Sequence, residues 1–347
     1  MRLAAILVHY HTPDLAAAAL DALRADVAGT GLEVEWLLVD NGSDAEERAK
    51  LAALPARLID PGRNLGYAGG VNLGVASTEA ELILLMNPDV LVLSGCVPAL
   101  VDRLRDGTAV AGPAFFWDRS RRLLLPPAER RTRRDELTAI LSRRGEGWAA
   151  RARRRWRRHA RRHWEAREPL PSHDLSGSLI ALSRPAWEAV GPFDEGFRLF
   201  FEETDWLLRA RDRGVPSWYV PGAQAVHLYN QSAGKEPRAK GWFEDSARRF
   251  RRRHYGPWFA ETLENLDSRL PRRPGPRLAS ASQLDLPKAP VWVEVSPNPE
   301  GFPAAAERVL EPGIWRLPEE IREPGLIAQV TDADGREILR RSLEAGN

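Results

Sequence analysis

Residues 3–13, LAAILVHYHTP, join an unbroken apolar run to a polar turn, and this pairing decides the fold class. The apolar run is short enough for a buried strand, and polar residues follow at its carboxyl end. A helical pattern from Leu15 to Ala25 comes next, and further apolar runs cover 34–40 and 82–86 with helical patterns between them. Strands that alternate with helices predict an α/β fold with a mostly parallel sheet covered on both faces.

Polar clusters follow three of these predicted strands, at residues 9–13, 40–43 and 87–89. The carboxyl ends of parallel strands meet at one edge of a sheet, where the loops form a ligand crevice. We therefore expect the three clusters to converge.

Two of these clusters contain carboxylates with more than one possible role. Asp40 could accept hydrogen bonds from a ribose hydroxyl or a base N–H, or its stretch could cap the next helix through Ser43 or Asp44. Asp89 ends a fully apolar run and could hold a divalent cation beside diphosphate oxygens, or residues 87–89 could form a simple turn. The sequence alone leaves both pairs of alternatives open.

A glycine-rich loop and an acidic helix start are further candidate segments. Residues 64–72, NLGYAGGVN, place glycines where a loop becomes a helix, which permits close approach to a ligand or to another element. Residues 200–206, FFEETDW, place three acids between aromatics. Glu202 and Asp205 share a helix face while Glu203 projects elsewhere, so one carboxylate could act as a general base. The alternative is that these acids only stabilise the helix dipole.

The composition is that of an ordinary globular protein, with 347 residues of which 43% are hydrophobic and 28% charged. No stretch approaches the roughly 18 apolar residues that a membrane-spanning helix needs, and the N-terminus lacks the form of a secretory signal. We therefore expect a cytoplasmic protein. The single cysteine, Cys96, excludes a disulfide framework and a cysteine-rich zinc site.

A basic segment is hidden by the net charge of +2. From Arg119 to Glu168 there are 18 Arg and 6 acidic residues, a local balance of +12. Trp148, Trp156 and Trp164 recur there at helical spacing amid arginines, which is typical of a helix lying in an anionic membrane interface. The alternatives are a solvated charged face whose tryptophans pack on the main domain, and nucleic-acid binding, for which no recognised motif is present.

The pattern along the chain predicts one large domain and a small β module. A strand pair is expected near 217–220 and 225–229, and Asp332–Gly335 is expected to be a hairpin turn rather than a calcium loop, because the distal glutamate is missing. The predicted division is a domain over 1–270 with a basic helical insertion over 119–170, a linker over 271–288, and the β module over 289–347.

Several motifs, taken in order, resemble those of the family 2 glycosyltransferases and, within them, the bacterial rhamnosyltransferase-like group. The resemblance covers residues 1–235 apart from the basic segment. It implies a GT-A fold that uses a nucleotide-diphosphate sugar and a divalent cation, Mg²⁺ or Mn²⁺, with inversion at the anomeric carbon. The motifs are VHYHTPDL at 8–15, VDNGS at 39–43, NLGYAGG at 64–70, NPD at 87–89, LSGS at 175–178, VGPFDE at 190–195 and FEETD at 201–205.

The resemblance also implies roles for individual residues. Three positions depart from the family pattern: His11 stands where Asn is usual, Asn87 replaces the first acid of the Asp-x-Asp pattern, and Glu203 stands where Asp is usual. The implied donor-binding residues are Thr12, Asp40, Asn41, Gly66, Gly69 and Asn87; the acceptor-binding residues are Gly177 and Ser178; the metal-binding residues are Asp89 and His227; and the base is Glu203, with Glu202 and Asp205 as further candidates.

The implied function is the inverting transfer of a sugar, rhamnose or a similar one, in cell-surface polysaccharide synthesis. The donor would be a dTDP- or UDP-sugar, and the acceptor a hydroxyl of a glycan or a polyprenyl-diphosphate-linked glycan at the inner face of the cytoplasmic membrane. Inverting transfer needs one carboxylate base and a positive charge beside the leaving diphosphate. The alternative is a catalytically silent relative that acts as a binding protein in membrane or glycan assembly. No nucleic-acid partner is expected.

Overall fold

The computed structural model describes residues 1–105, 107–128, 131–228, 238–321, 323 and 325–344. The chain forms two compact units: unit 1 comprises 1–114 and 167–256, and unit 2 comprises 115–166 and 257–347. The strands are β1 (Arg2–His9), β2 (Glu33–Asp40), β3 (Arg57–Ile59), β4 (Leu82–Met86), β5 (Val90–Val92), β6 (Val110–Phe116), β7 (Leu170–Pro171), β8 (Leu179–Ser183), β9 (Ser217–His227), β10 (Ser280–Ala281), β11 (Leu284–Leu286), β12 (Val291–Ser296), β13 (Ala305–Val309), β14 (Gly313–Trp315), β15 (Ile327–Thr331) and β16 (Glu337–Leu343).

The helices connect these strands and cover the sheets. Across the part of the chain that the structure describes, no helix is both long and apolar enough to cross a bilayer. The helices are α1 (Pro13–Val27), α2 (Ala45–Ala52), α3 (Gly66–Ala76), α4 (Cys96–Leu104), α5 (Arg133–Ser142), α6 (Glu146–Trp164), α7 (Arg184–Val190), α8 (Glu202–Asp212), α9 (Ala239–Tyr255) and α10 (Pro257–Arg269).

A mixed sheet forms the centre of unit 1, with strand order β3-β2-β1-β4-β8-β6-β9-β5 and β7 beside β9. The four strands β3, β2, β1 and β4 pair in parallel. The pairs β4–β8 and β5–β9 are antiparallel. Strands β1 and β4 are apolar and buried along almost their whole length, as expected for parallel strands covered on both faces. The predicted α/β fold with a mostly parallel core is confirmed.

The predicted convergence of the polar clusters is also confirmed. His9 at the end of β1 pairs with Asp40 at the end of β2, and Leu7 pairs with Met86 at the end of β4. The loops that begin after these strands therefore leave the sheet at the same edge. The positions of the functional residues follow from this register.

Strand β9 corrects one prediction, because the expected strand pair is a single strand over Ser217–His227. Its two halves have different neighbours: Trp218 and Tyr219 pair with β7, whereas residues 225–227 pair with β5. Pro221 lies between these two paired stretches, where a missing N–H does not break either ladder. Proline and glycine at 221–222 therefore lie where the pairing with β7 has ended and that with β5 has not begun, and they do not end the strand.

The β module forms the larger part of unit 2. One sheet has the strand order β10-β16-β15-β12-β13, and β11 pairs with β14. Its core gathers Val291, Val293 and Val295 of β12 with Trp315. The predicted hairpin turn is confirmed between β15 and β16, where the Gly335 N–H donates to the Asp332 carbonyl at 3.0 Å.

Helix α6, the core of the basic segment, packs on this β module, so the structure divides the chain differently from the prediction. The indole rings of Trp164 and Trp292 stack 5.4 Å apart, and Trp156 meets Trp164 edge-on at 5.7 Å. Trp156 and Trp164 are only 9% and 8% exposed. The prediction that these two residues contact a membrane is wrong, because their rings fill a core between α6 and β12. Trp148 is 43% exposed, and its membrane contact stays a prediction.

Candidate active site

The end of β1 is organised by the fully buried His9. Its Nε2 accepts a hydrogen bond from the Thr12 N–H at 2.8 Å, and its Nδ1 lies 3.2 Å from Ser43 Oγ. Burial lowers the pKa of His9. The ring is therefore neutral, with its proton on Nδ1, and joins the loops that follow β1 and β2.

His11 and Thr12 lie in the turn between β1 and α1. His11 adopts a φ of 51°, a conformation that Asn and His tolerate better than most side chains, which accounts for a histidine where Asn is usual. Thr12 is 3% exposed, and its Oγ1 has no hydrogen-bond partner among the described residues. A buried hydroxyl without a partner fits the predicted contact of Thr12 with a donor.

Asp40 holds the turn that follows β2. Its Oδ1 accepts from the Ser43 N–H at 2.9 Å and the Gly42 N–H at 3.2 Å, and its Oδ2 lies 3.4 Å from Arg48 Nε. Burial alone would raise the pKa of Asp40, but the bonds from Ser43 and Arg48 outweigh it and hold that pKa below its usual range. The contact of Asp40 with a nucleoside stays a prediction.

The neighbouring polar residues tie this turn to the rest of the site. The cap of α2 is Asp44, which accepts from the Glu47 N–H, so the capping alternative is confirmed for that residue. Asn41 Oδ1 accepts from the Leu65 N–H at 2.7 Å and so connects the turn to the glycine-rich loop. Asn41 thereby positions the loop that is predicted to line the donor pocket.

The glycines between residues 64 and 74 serve two purposes. Gly66 has a φ of 76°, and a Cβ there would lie 2.6 Å from the Arg198 carbonyl oxygen. A Cβ on Gly70 would lie 2.7 Å from Val8, and one on Gly74 would lie 2.5 Å from Ile6. Gly70 and Gly74 thus let α3 pack on β1, while Gly66 shapes the loop. Donor contact by Gly66 and Gly69 stays a prediction.

Tyr67 lies among the predicted catalytic and metal-binding residues. Its hydroxyl donates to the Gly177 carbonyl at 3.3 Å. Burial of that hydroxyl raises the pKa of Tyr67, and the negative charges of Glu202, Glu203 and Asp89 raise it further. The sequence analysis gave Tyr67 no role, although its place between glycines of a site motif could have indicated one.

The start of α8 presents two adjacent glutamates in different surroundings. Glu202 is 4% exposed, and its Oε2 has no partner within the described ranges. Burial, with the charge of Glu203 added, raises the pKa of Glu202 well above its usual range. Glu203 is half-buried and lies against Gly177, where a Cβ would come within 2.6 Å of Glu203 Cγ. The backbone just before this pair is strained, since Phe200 and Phe201 have φ values of 70° and 71°.

Asp205 does not share this environment, which corrects its place among the candidate bases. Its carboxylate is fully buried and is bonded by Arg209 Nε at 2.8 Å, Arg253 Nε at 2.9 Å and His254 Nε2 at 2.8 Å. Burial raises the pKa of Asp205, but His254, Arg209 and Arg253 outweigh it, so the net shift is downward. A carboxylate held by three donors joins α8 to α9 and is a poor proton acceptor.

The predicted metal-binding residues lie side by side. His227 Nε2 is 3.5 Å from Asp89 Oδ1 and 3.5 Å from Ser178 Oγ, and His227 pairs with Val90 across β9 and β5. No group of three His, Cys, Asp or Glu side chains suited to a metal occurs in the described part of the chain. One carboxylate and one imidazole fit a hard cation that shares most of its ligands with water and substrate phosphates.

A protein-family model matches the part of the chain that carries most of these motifs. A family model described as Glycosyl transferase family 2 matches residues 5–189, more than half of the chain. The chain belongs to glycosyltransferase family 2. As a family 2 glycosyltransferase it is an enzyme that uses a nucleotide sugar, which confirms the predicted enzyme class. Glu202 and Glu203 lie beyond the matched residues.

Relatives of this family 2 chain include rhamnosyltransferases. It is 31% identical over 231 residues to the N-acetylglucosaminyl-diphospho-decaprenol L-rhamnosyltransferase of Mycobacterium tuberculosis, covering 59% of this chain and 69% of the relative. It is 26% identical to the dTDP-rhamnosyl transferase RfbF of Shigella flexneri, covering 57% of this chain and 61% of the relative. A solved mannosyltransferase of Pyrobaculum calidifontis, in complex with GDP-Man and Mn²⁺, aligns with a TM-score of 0.45 at 16% identity over 76% of this chain and 73% of its own.

Proposed function

We propose that this chain is an inverting glycosyltransferase that moves a deoxyhexose of the rhamnose type from a nucleoside-diphosphate donor to a hydroxyl of a lipid-linked glycan. The observation that carries the proposal is the pair Glu202 and Glu203 beside Tyr67 and Asp89. The two adjacent acids differ in burial and therefore have different roles in this proposal. Glu202 keeps its proton, and Glu203 accepts one.

Glu203 is the base in this proposal. It is the more exposed of the two acids, and it occupies the space that a side chain at Gly177 would fill. Glu203 takes the proton of the acceptor hydroxyl, that oxygen bonds to the anomeric carbon from the opposite side, and the bond to the diphosphate breaks. The products are an inverted glycoside and a nucleoside diphosphate, so a single base suffices.

Glu202 and Tyr67 keep the surroundings of the base neutral. Burial favours the protonated forms of both side chains, so they add no negative charge beside Glu203. The Tyr67 hydroxyl also donates to the Gly177 carbonyl, which fixes the 175–178 loop against α3. We infer that this loop, with Ser178, contacts the acceptor.

The donor side is formed by the loops after β1, β2 and β4. The unpartnered Thr12 hydroxyl and the turn held by Asp40 face the nucleoside in this proposal. Asp89 and His227 would hold a divalent cation, Mg²⁺ or Mn²⁺, which supplies positive charge beside the leaving diphosphate. Since only one carboxylate is present there, we expect weak binding of the cation until the donor is bound.

The donor and acceptor are proposed from the relatives. The names of two of them include a rhamnosyl group, one as a dTDP-rhamnosyl transferase and one with a diphospho-decaprenol-linked acceptor. We therefore propose dTDP-rhamnose, or a similar dTDP- or UDP-sugar, and a polyprenyl-diphosphate-linked glycan at the inner face of the cytoplasmic membrane. Such a step belongs to cell-surface polysaccharide synthesis.

The test combines donor binding with transfer, using Mg²⁺ or Mn²⁺ and a panel of nucleotide sugars. We expect Glu203→Gln to lower kcat by about 10²–10⁴-fold while the thermal shift caused by the donor stays unchanged. Asp89→Asn should weaken the metal-dependent thermal shift as well as transfer. Glu188→Gln, on an exposed position of α7, is the matched control and should change neither.

Two outcomes would count against the proposal. Transfer by Glu203→Gln at the wild-type rate would remove this residue from the role of base. Metal-dependent donor binding without transfer to any lipid-linked acceptor would favour the alternative, a silent binding protein in glycan assembly.

A further inference from the structure

A basic groove lies within unit 2, between the outer side of α6 and the turn that joins β15 to β16. We call it the α6 groove; its volume is about 860 Å³. Among the described residues that line it are seven arginines, six from α6 and Arg336 from the turn. They face three acids, Glu165, Asp334 and Glu337. The groove therefore has an excess of positive charge.

The fold uses the inner arginines of this groove. Arg157 Nη1 donates to the Gly335 carbonyl at 3.0 Å and its other nitrogens bind Glu294, while Arg161 donates to Thr331 Oγ1 at 2.8 Å and to the Asp332 carbonyl at 2.7 Å. These bonds fix the turn against α6. Arg161 is 8% exposed, yet its buried Nε has no partner in the described part of the chain. At the wall of the groove, the N–H of Arg161 Nε is thus a hydrogen-bond donor that the described part of the fold does not use.

Two of the outer arginines, Arg154 and Arg158, have no comparable structural role in the part of the chain that the structure describes. Arg154, Arg158 and Arg162 are exposed and lie four residues apart, so they form one row with a rise of about 6 Å between neighbours. Like charges at this spacing destabilise a helix. The side chains of Arg154, Arg158 and Arg336 form no hydrogen bond or ion pair with any described residue. Arg154 and Arg158 repel each other on α6, and no side-chain contact with a described residue offsets this, which indicates a ligand.

We propose that the α6 groove binds a phosphate or diphosphate group. Guanidinium groups recognise phosphate oxygens through paired, charge-assisted hydrogen bonds, and several that converge can match a group with more than one negative charge. The concave shape and the acids in its lining suit a small phosphate group better than a long nucleic-acid strand. The phosphate can come from a lipid headgroup or from a soluble diphosphate.

The test uses the full chain in the presence of EDTA, so that a metal-dependent donor site takes up no phosphate. The groove variant carries Arg154→Gln, Arg158→Gln and Arg336→Gln. The control variant carries Arg269→Gln, Arg277→Gln and Arg308→Gln, which are exposed arginines of unit 2 that do not line the groove. Both variants lose the same charge, so long-range electrostatics change equally.

Two probes distinguish the sources of the phosphate. Inorganic pyrophosphate is titrated by calorimetry, and vesicles in which about one lipid in three is phosphatidylglycerol are compared with neutral vesicles by co-sedimentation. At about 0.15 M salt we expect the wild type to bind at least one probe and the groove variant to bind it at least about tenfold more weakly. The control variant should stay within about twofold of the wild type.

Binding of pyrophosphate supports a soluble diphosphate, and binding of anionic vesicles alone supports a lipid headgroup. Equal losses in the groove and control variants would overturn the proposal, and so would no binding of either probe by the wild type. Stronger binding of an oligonucleotide than of both probes, lost in the groove variant, would assign the groove to nucleic acid instead. None of these results depends on the proposed transfer reaction.

Discussion

Glu202 in unit 1 and Glu294 in unit 2 are both buried glutamates, but their surroundings are opposite. Glu294 is fully buried and accepts from Arg157 Nε at 2.6 Å, Arg157 Nη2 at 2.8 Å and Thr331 Oγ1 at 3.2 Å. Glu202 has one oxygen without a partner and a second acid as its chain neighbour. The first carboxylate joins α6 to β12, whereas Oε2 of the second has no partner among the residues that the structure describes.

The contrast shows how to separate stability from function among buried charges. A buried carboxylate is costly unless donors satisfy it, so a fold selected only for stability would pair or remove it. Unit 2 pairs its carboxylate, and unit 1 leaves one unsatisfied beside Tyr67 and Glu203. We infer that the unsatisfied group is kept for its chemistry. Three substitutions test this inference, in order of decreasing effect.

The largest effect is expected for Glu294→Gln. This change leaves the Arg157 guanidinium buried without a counter-charge, and we expect unit 2 to lose about 3 kcal/mol of stability. The measurement is amide hydrogen exchange of residues 291–296 and 327–331, which reports on this sheet directly. Glu311→Gln, at an exposed position, is the control and should change exchange little.

A double variant distinguishes the loss of the Arg157–Glu294 ion pair from the loss of side-chain packing. In Arg157→Met with Glu294→Leu, both charges are gone and the space stays filled, so most of the protection should return. If the double variant exchanges as fast as Glu294→Gln, the ion pair is not what holds α6 on the sheet.

A smaller effect is expected for Asp205→Asn in unit 1. The change removes the counter-charge of Arg209 and Arg253 and the acceptor of His254, but Arg253 still reaches water, so we expect a loss of about 2 kcal/mol of stability. Because the folded-state pKa of Asp205 is lowered, its contribution is present above the usual pKa and is lost as the pH falls through the folded value. Urea unfolding across this range should show the two proteins converging in acid.

Asp212→Asn provides the control, since Asp212 is exposed on the same helix and pairs with the adjacent Arg211. It should change the free energy of unfolding by no more than about 0.5 kcal/mol. A pH-independent difference between Asp205→Asn and the wild type would contradict the assignment of that carboxylate as a charged structural link.

Much of the fold could be predicted because its signals are local. The apolar run of β1, the polar turns and the 332–335 hairpin depend on neighbours in sequence, and each is confirmed. The partner of α6 could not be predicted, because Trp292 and Glu294 lie more than a hundred residues away and periodicity does not reveal which surface an amphipathic helix covers. A stripe of Trp and Arg predicts a membrane interface and a polar-lined protein core equally well.

The sequence indicated candidate residues for the site but not how their surroundings differ. The motif order indicated Glu202, Glu203 and Asp205 together, while the contacts that distinguish them come from distant residues such as Arg253 and Gly177. Tyr67 was missed for the same reason. A single sequence shows which residues are present, whereas the burial and the partners that set a pKa arise only in three dimensions.

The smallest effect is expected for Glu202→Gln, and its sign is opposite to the other two. The folded-state pKa of Glu202 is raised, so as the pH rises above the usual value the unfolded chain ionises while the folded one keeps its proton, and the wild type loses stability by at most about 1.4 kcal/mol per pH unit. Glutamine does not titrate, but its amide is still a buried polar group. The free energy of unfolding of unit 1 should therefore rise by only about 1 kcal/mol at pH 7. Urea unfolding of both proteins between about pH 5 and 8 should show this gain growing with pH. A difference that stays constant over that range would mean that Glu202 is satisfied like Glu294, and the contrast between the two carboxylates would then say nothing about catalysis.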